Sequence, residues 1–181
     1  MHLAEDPVSF RKYLQMSRSE AADRRQYGDY RRLLGRNAPE SFDKFRELKY
    51  NGDEWETFRD YAKSVEIGEL SPLAGFDLYR ETSRQIDELL VGLVAADGIE
   101  ITGKSKHFIA RTIGSVEHRR NGVPLEDALE ALTSPEEIRG TRTAANGRSK
   151  KYIGKSCEVS VNPDTGILIQ DNPRSVKGGK S

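Results

Sequence analysis

Apolar residues recur at helical spacing through the first half of the chain and alternate with polar ones through much of the last third. Residues 8–35 set Phe10, Tyr13 and Leu14 among Arg11, Lys12, Arg18, Arg24 and Arg25, which predicts one or two amphipathic helices stopped at Gly35. Ser41 precedes Phe42, Phe45 and Leu48, spaced three apart, and reads as the N-cap of a short helix ended by Asn51-Gly52. Trp55, Phe58 and Tyr61 repeat that spacing on a further helix. Charged residues between the rings make these stripes helix-packing surface in preference to a base-stacking platform. Pro72 and Gly75 mark a break, after which Leu78, Ile86, Leu89, Leu90, Leu93 and Val94 predict the most apolar helix of the chain over 77–96.

Beyond that helix the period changes. Residues 98–103 alternate and read as a short strand between glycines. A helix over 105–120 would place Ile109, Ile113 and Val116 on one side and His107, Arg111 and His118 on the other. A second helix follows the Gly122-Val123-Pro124 turn and stops at Pro135. Strands over 138–144 and 148–153 flank Asn146-Gly147, a strong hairpin signal. Cys157, Val159 and Val161 alternate with polar neighbours, so Cys157 reads as a buried small hydrophobe. The turn Asn162-Pro163-Asp164-Thr165-Gly166 leads to a last strand with Ile167 and Ile169 on one face. The fold class expected is therefore α+β: a helical N-terminal arm over 1–75, then helices packed on a four-stranded antiparallel sheet over 76–175. The tail, 176–181, is expected to be disordered.

Charge changes this picture little over the whole chain and much over its parts. The net charge is zero and 32% of the residues are charged. Residues 1–100 hold 15 positive and 20 negative side chains, while residues 101–181 hold 14 and 9, so the halves carry −5 and +5. Residues 139–181 alone carry nine positive and three negative side chains, a local basic surface suited to a polyanion such as RNA. A single cysteine excludes an internal disulfide and a cysteine-based zinc site, and His2, His107 and His118 are too widely spaced to suggest metal ligands. Neither a metal nor a cofactor is expected. No apolar run approaches the length of a membrane span, and the polar, acidic start lacks the order of a secretory signal, so the expected address is cytoplasmic.

A histidine among arginines and lysines beside a small sheet could cleave RNA without a metal. Attack by the 2′-hydroxyl needs a base, a cation for the developing phosphorane charge and an acid for the 5′-oxygen, and histidine suits the proton transfers. On a straight helix His107 and His118 would stand about 16 Å apart, too far to share one phosphate. Unless Gly114 breaks that helix, one histidine serves alone. From the spacing alone, the reading to prefer is the plain one, a charged helix face that is simply solvated. The hairpin brings Arg148, Ser149, Lys150, Lys151, Tyr152 and Lys155 to the sheet, with Ser149, Lys151 and Ile153 on one face and Lys150 and Tyr152 on the other.

The order Ser105-Lys106-His107-Phe108, a second helix, a basic hairpin, Lys151-Tyr152-Ile153-Gly154-Lys155 and Asn162-Pro163-Asp164-Thr165-Gly166 resembles the C-terminal domain of phage minor head (head morphogenesis) proteins and related bacterial toxin modules. Those belong with the barnase–EndoU–colicin–RelE group of ribonuclease folds. The resemblance spans about residues 103–171, and residues 26–50 look like the connector that precedes that domain. It implies His107 as general acid or base and Arg111, Ser149, Lys155 and Thr165 as catalytic partners at the phosphate. Arg148, Lys151 and Tyr152 would then bind substrate. Where the family often ends its last strand with an aromatic, this sequence has Gln170-Asp171-Asn172-Pro173-Arg174-Ser175.

Two classes of function follow. One is a metal-independent, toxin-like ribonuclease acting on RNA (tRNA included) in a host cytoplasm and held in check by an acidic immunity protein. The other is a non-catalytic phage head accessory protein in the virion, where the helical arm docks on capsid or portal protein or the chain binds packaged nucleic acid.

Overall fold

The computed structural model of the chain describes residues 7–145 and 147–174, with side chains from Arg18 onward and that of Leu14. The expectations for Phe10, Arg11, Lys12 and Tyr13, for Asn146 and for the tail 176–181 lie outside this description. The chain forms two compact units, Met1–Glu56 and Thr57–Ser181. The division thus falls ahead of the break expected at Pro72 and Gly75.

In the first unit a single long helix, α1 (Pro7–Leu34), runs into a 3-10 turn, Gly35–Asn37, and then α2 (Phe42–Tyr50). Gly35 takes a φ of 57°, a left-handed conformation that ends α1. Ser41 caps α2, its Oγ accepting from the Lys44 N–H at 3.1 Å. Phe45 is fully buried and stacks on Tyr27 at 5.5 Å, with Trp55 edge-on at 5.7 Å. The two helices are also joined by buried Asp23, which accepts from Lys49 at 2.7 Å and Tyr50 at 2.8 Å. Burial alone would raise its carboxyl, but these two donors and the charges of Lys49 and Arg46 outweigh it and hold the group below its ordinary value.

The second unit holds most of α3 (Trp55–Glu66), then α4 (Phe76–Leu89), β1 (Gly103–Lys104), α5 (Lys106–Ile113), α6 (Leu125–Thr133), β2 (Glu137–Ala144), β3 (Gly147–Ile153), β4 (Cys157–Val161) and β5 (Ile167–Pro173). Its class is α+β, as the pattern indicated. The sheet has five strands in the order β1-β5-β4-β3-β2, with β2 to β5 an antiparallel meander and β1 parallel to β5. The sheet has one strand more than the four expected: β1 is only two residues long and begins at Gly103, while residues 98–102 form no strand and pair only through the isolated Val94–Glu100 bridge.

Three helices cover this sheet: α5 lies along β5, α6 across β3 and β4, and α4 against α5, α6 and β1. Tyr79, Ile86, Leu90, Phe108, Leu132, Tyr152, Val159 and Leu168 are fully buried between them. α4 stops at Leu89, short of the predicted 96, because Gly92 at φ 90° turns the chain into a small hairpin that buries Ile101 and leaves Val94 exposed.

The helix expected over 105–120 is the larger correction. α5 ends at Ile113 because Gly114 takes a φ of 83°, and its site accepts no side chain: a Cβ there would lie 2.5 Å from the Gly122 nitrogen. Val116 is consequently exposed beyond the helix, and the buried side of α5 is Phe108, Ile109, Ala110 and Thr112.

Candidate functional site

Ser105 sets the geometry of the site. Its Oγ accepts from the Phe108 N–H at 3.0 Å, capping α5, and donates to the Ile169 carbonyl of β5 at 2.7 Å. His107, on the first turn of α5, is thereby pinned beside β5. Its Nδ1 lies 2.6 Å from Oε1 of Glu69, in the loop after α3, and its Nε2 lies 3.1 Å from Oε1 of Gln170. Both residues are about three-quarters buried, His107 at 27% and Glu69 at 24% side-chain exposure. A carboxylate on Nδ1 fixes the ring and its tautomer and leaves Nε2 as the atom that can exchange a proton. The Gln170 amide can turn to offer that nitrogen either its oxygen or its NH2.

Sheet register extends the site. Gln170, Ser160, Lys151 and Arg139 are successive partners across β5, β4, β3 and β2, so they form one row on one face, with His107 at its β5 end. Strands are spaced about 4.8 Å apart, which puts Lys151 roughly 10 Å from Gln170 along that row. Lys151 pairs with Glu158 at 3.1 Å and Arg139 with Glu137 at 3.2 Å, both near the surface.

One turn beyond His107 on the same helix face, Arg111 lines a cavity of about 330 Å³ together with Arg119, Arg120, Arg174, Asn121 and Asp171. Gly114 and the bridge between Ser115 and Arg120 fold residues 115–120 back to make one wall. Asp171 is 1% exposed, and its Oδ2 accepts from the Thr112 hydroxyl at 2.7 Å. Burial pushes its carboxyl up to about 7, against the lowering effects of that hydroxyl, a backbone N–H and the Arg111 charge. Neither Asp171 Oδ1 nor the buried Nε of Arg111 has a hydrogen-bond partner among the described residues.

Because α5 ends at Ile113, the two histidines do not lie on one straight helix. His118 is exposed, with Nδ1 3.0 Å from Ser115 Oγ, and a Cβ on Gly68 would stand 3.5 Å from its Nε2. The loop 68–71 therefore meets both histidines at successive residues, Gly68 and Glu69, while Arg120 donates to the Gly68 carbonyl at 3.1 Å and Ser71 to Glu117 at 2.7 Å.

Of the residues expected at the phosphate, His107 and Arg111 come together. Lys155 is exposed in the β3–β4 turn, which Arg174 holds by donating to the Gly154 carbonyl at 2.6 Å, so it lies at the cavity's end of the sheet. Ser149 and Lys151 share the face that carries Gln170. Arg148 pairs with Asp164 at 2.6 Å at the other end of the strands, and Thr165 caps its own turn, accepting from the Ile167 N–H at 3.3 Å. β5 from Ile167 to Pro173 spans about 20 Å at 3.3 Å per residue, so Arg148 and Thr165 cannot share one phosphate with Lys155. Tyr152 has no exposed surface, and its hydroxyl donates to Asp97 at 2.8 Å. It belongs to the core and cannot touch substrate.

Cys157 is buried, with its thiol pushed up to about 12 by burial first, as suits an inert core residue. No group of three or more His, Cys, Asp and Glu side chains among the described residues is placed to hold a metal ion, and no described helix is long and apolar enough to cross a membrane. No family model, curated protein or solved structure matches the chain.

Sequence reasoning missed Glu69, Gln170, Asp171, Arg119, Arg120 and Arg174. Asp171 alone carried a signal, a carboxylate inside an otherwise apolar-alternating strand; the others converge only in the tertiary fold, Arg119 and Arg120 through the turn at Gly114.

Proposed function

We propose that this chain is a metal-independent, toxin-like ribonuclease that cleaves RNA by attack of the 2′-hydroxyl on the adjacent phosphate. The observation that supports this reading most is the His107 imidazole, held through Nδ1 by Glu69 and one helical turn from the arginine-lined cavity. In this reading Nε2 of His107 takes the 2′-hydroxyl proton as the 2′-oxygen bonds to phosphorus. Arg111 stabilises the extra negative charge of the phosphorane. The bond to the 5′-oxygen then breaks, that oxygen collects a proton, and a 2′,3′-cyclic phosphate remains. His118, gathered at the same loop, is available for the second proton transfer. The row of Lys151 and Arg139 offers charge to the flanking RNA backbone. Such an enzyme would work in a host cytoplasm and need an acidic inhibitor to cover its basic face.

The test is the chemistry of the ends. RNA fragments carrying 2′,3′-cyclic phosphate and free 5′-hydroxyl ends support the mechanism; 5′-phosphate ends rule it out. A folded chain that cuts no RNA and co-purifies with a capsid or portal protein would favour the head accessory role instead.

A further inference from the structure

Four guanidinium groups facing one small cavity repel one another unless an anion joins them. Arg174 engages Glu136 and the Gly154 carbonyl through one nitrogen, and Arg120 engages the Gly68 carbonyl through another. A guanidinium has five N–H donors, so both keep several for a ligand. The backbone N–H of Arg119 donates to the Val116 carbonyl at 3.0 Å, but its guanidinium has no partner among the described residues, and the buried Nε of Arg111 is likewise unpaired. A buried donor left unpaired is costly, which points to a group that completes the site.

We propose that this cavity is a phosphate-binding pocket, in which Arg111, Arg119, Arg120 and Arg174 receive the phosphate group of a nucleotide or nucleic acid. Planar guanidinium forks match phosphate oxygens in pairs, and a tetrahedral anion can be met from several sides at once. A volume of about 330 Å³ lies within the range of small-ligand sites and exceeds what a bare phosphate fills, leaving room for an attached sugar. Asp171 does not oppose this while it is protonated. The groups around it are Thr112 and Arg111 from α5, Arg119, Arg120 and Asn121 from the following loop, Asn172 from its own strand and Arg174 just beyond it, and the neutral Cys157 thiol of β4. When Asp171 ionises it cancels part of the arginine charge, so the pocket holds an anion more tightly as pH falls through neutrality.

The proposal deepens the ribonuclease reading by placing a phosphate beside His107, yet it can be tested apart from it. Binding of inorganic sulfate, inorganic phosphate and a non-cleavable 2′-deoxy dinucleotide monophosphate to the full chain is measured by calorimetry at low salt. Arg111→Gln and Arg119→Gln should each weaken binding by about tenfold, the loss expected for one charge-assisted hydrogen bond. His107→Ala, whose side chain lies outside the cavity, should bind as the wild type does even if cleavage is lost. Sulfate, with its fixed charge, should bind more tightly at acidic than at alkaline pH, and Asp171→Asn should abolish that dependence. Tighter binding of the dinucleotide than of phosphate assigns the pocket to a nucleic-acid backbone; the reverse assigns it to free phosphate or a monoester. Absence of binding by folded wild-type protein, or full binding by the exposed-site variant Arg119→Gln, overturns the proposal. RNA cleavage persisting in either case would leave the ribonuclease reading standing.

Discussion

Nδ1 of His107 and Oε1 of Glu69 lie 2.6 Å apart, joining the first turn of α5 to the loop that follows α3. The pair fixes which imidazole nitrogen faces outward, and the proposed chemistry depends on that nitrogen. Glu69→Gln keeps an acceptor oxygen but removes the charge. It should lower the cleavage rate about ten- to hundredfold, the range found when a group that orients a working histidine is altered. Far-ultraviolet circular dichroism should be unchanged. A wild-type rate in that variant would separate Glu69 from the mechanism.

Asp171 makes stability depend on pH in an uncommon direction for a carboxylate. Its folded value, raised to about 7 mainly by burial, exceeds the ordinary 3.8 expected of an unfolded chain. The folded state therefore binds the proton more tightly. The resulting stabilisation is fully present below the ordinary carboxylate value and is lost as pH rises through about 7. Thermal melts should show Tm of the wild type falling across that window relative to Asp171→Asn, by up to about 4 kcal/mol in stability. Parallel Tm profiles for the two proteins would contradict this assignment.

Gly154 lets α6 approach the end of β3. A Cβ there would lie 2.9 Å from both Cα and Cβ of Ala131, and a helix backbone cannot yield as a flexible side chain does. Gly154→Ala should cost about 1–3 kcal/mol in urea unfolding, as overpacking typically does. Gly140→Ala on β2, with nothing within 4 Å of the added carbon, serves as the control and should change stability little.

The first unit depends on Asp23. Removing this buried carboxylate with Asp23→Ala leaves Tyr50 without its acceptor and Lys49, only 22% exposed, with the neutral Gln26 amide oxygen at 2.8 Å in place of a counter-charge. The expected loss is about 2–3 kcal/mol, below the usual figure for a broken buried pair because Lys49 keeps some access to water. Chemical denaturation read through Trp55 fluorescence follows this unit directly. An unchanged midpoint would show the ion pair to be dispensable.

The sequence was legible where local rules act alone. Ser41 caps α2 as read, because a serine oxygen ahead of an apolar period has one favourable use. Alternation located β4, and the basic hairpin pattern located β2 and β3. What escaped was non-local. Gly114 reads as a tolerated glycine inside a helical period until Gly122 packs against it. β1 pairs with β5 across more than 60 residues, and two residues carry no period of their own. The same reason explains the site: His107 and Arg111 were visible as one helix stripe, whereas Glu69, Asp171 and Arg174 reach them only through the tertiary fold. Tyr152 erred in the opposite sense, since strand alternation fixed its face but could not show that α6 packs on β3 and that Asp97 takes its hydroxyl.

Purified full-length chain incubated with total RNA in EDTA, beside His107→Ala, tests the proposed activity most directly. The expected result is cleavage that survives EDTA and disappears in the variant while its circular dichroism stays native. Intact RNA with folded wild-type protein, or cleavage by His107→Ala at the wild-type rate, would contradict it.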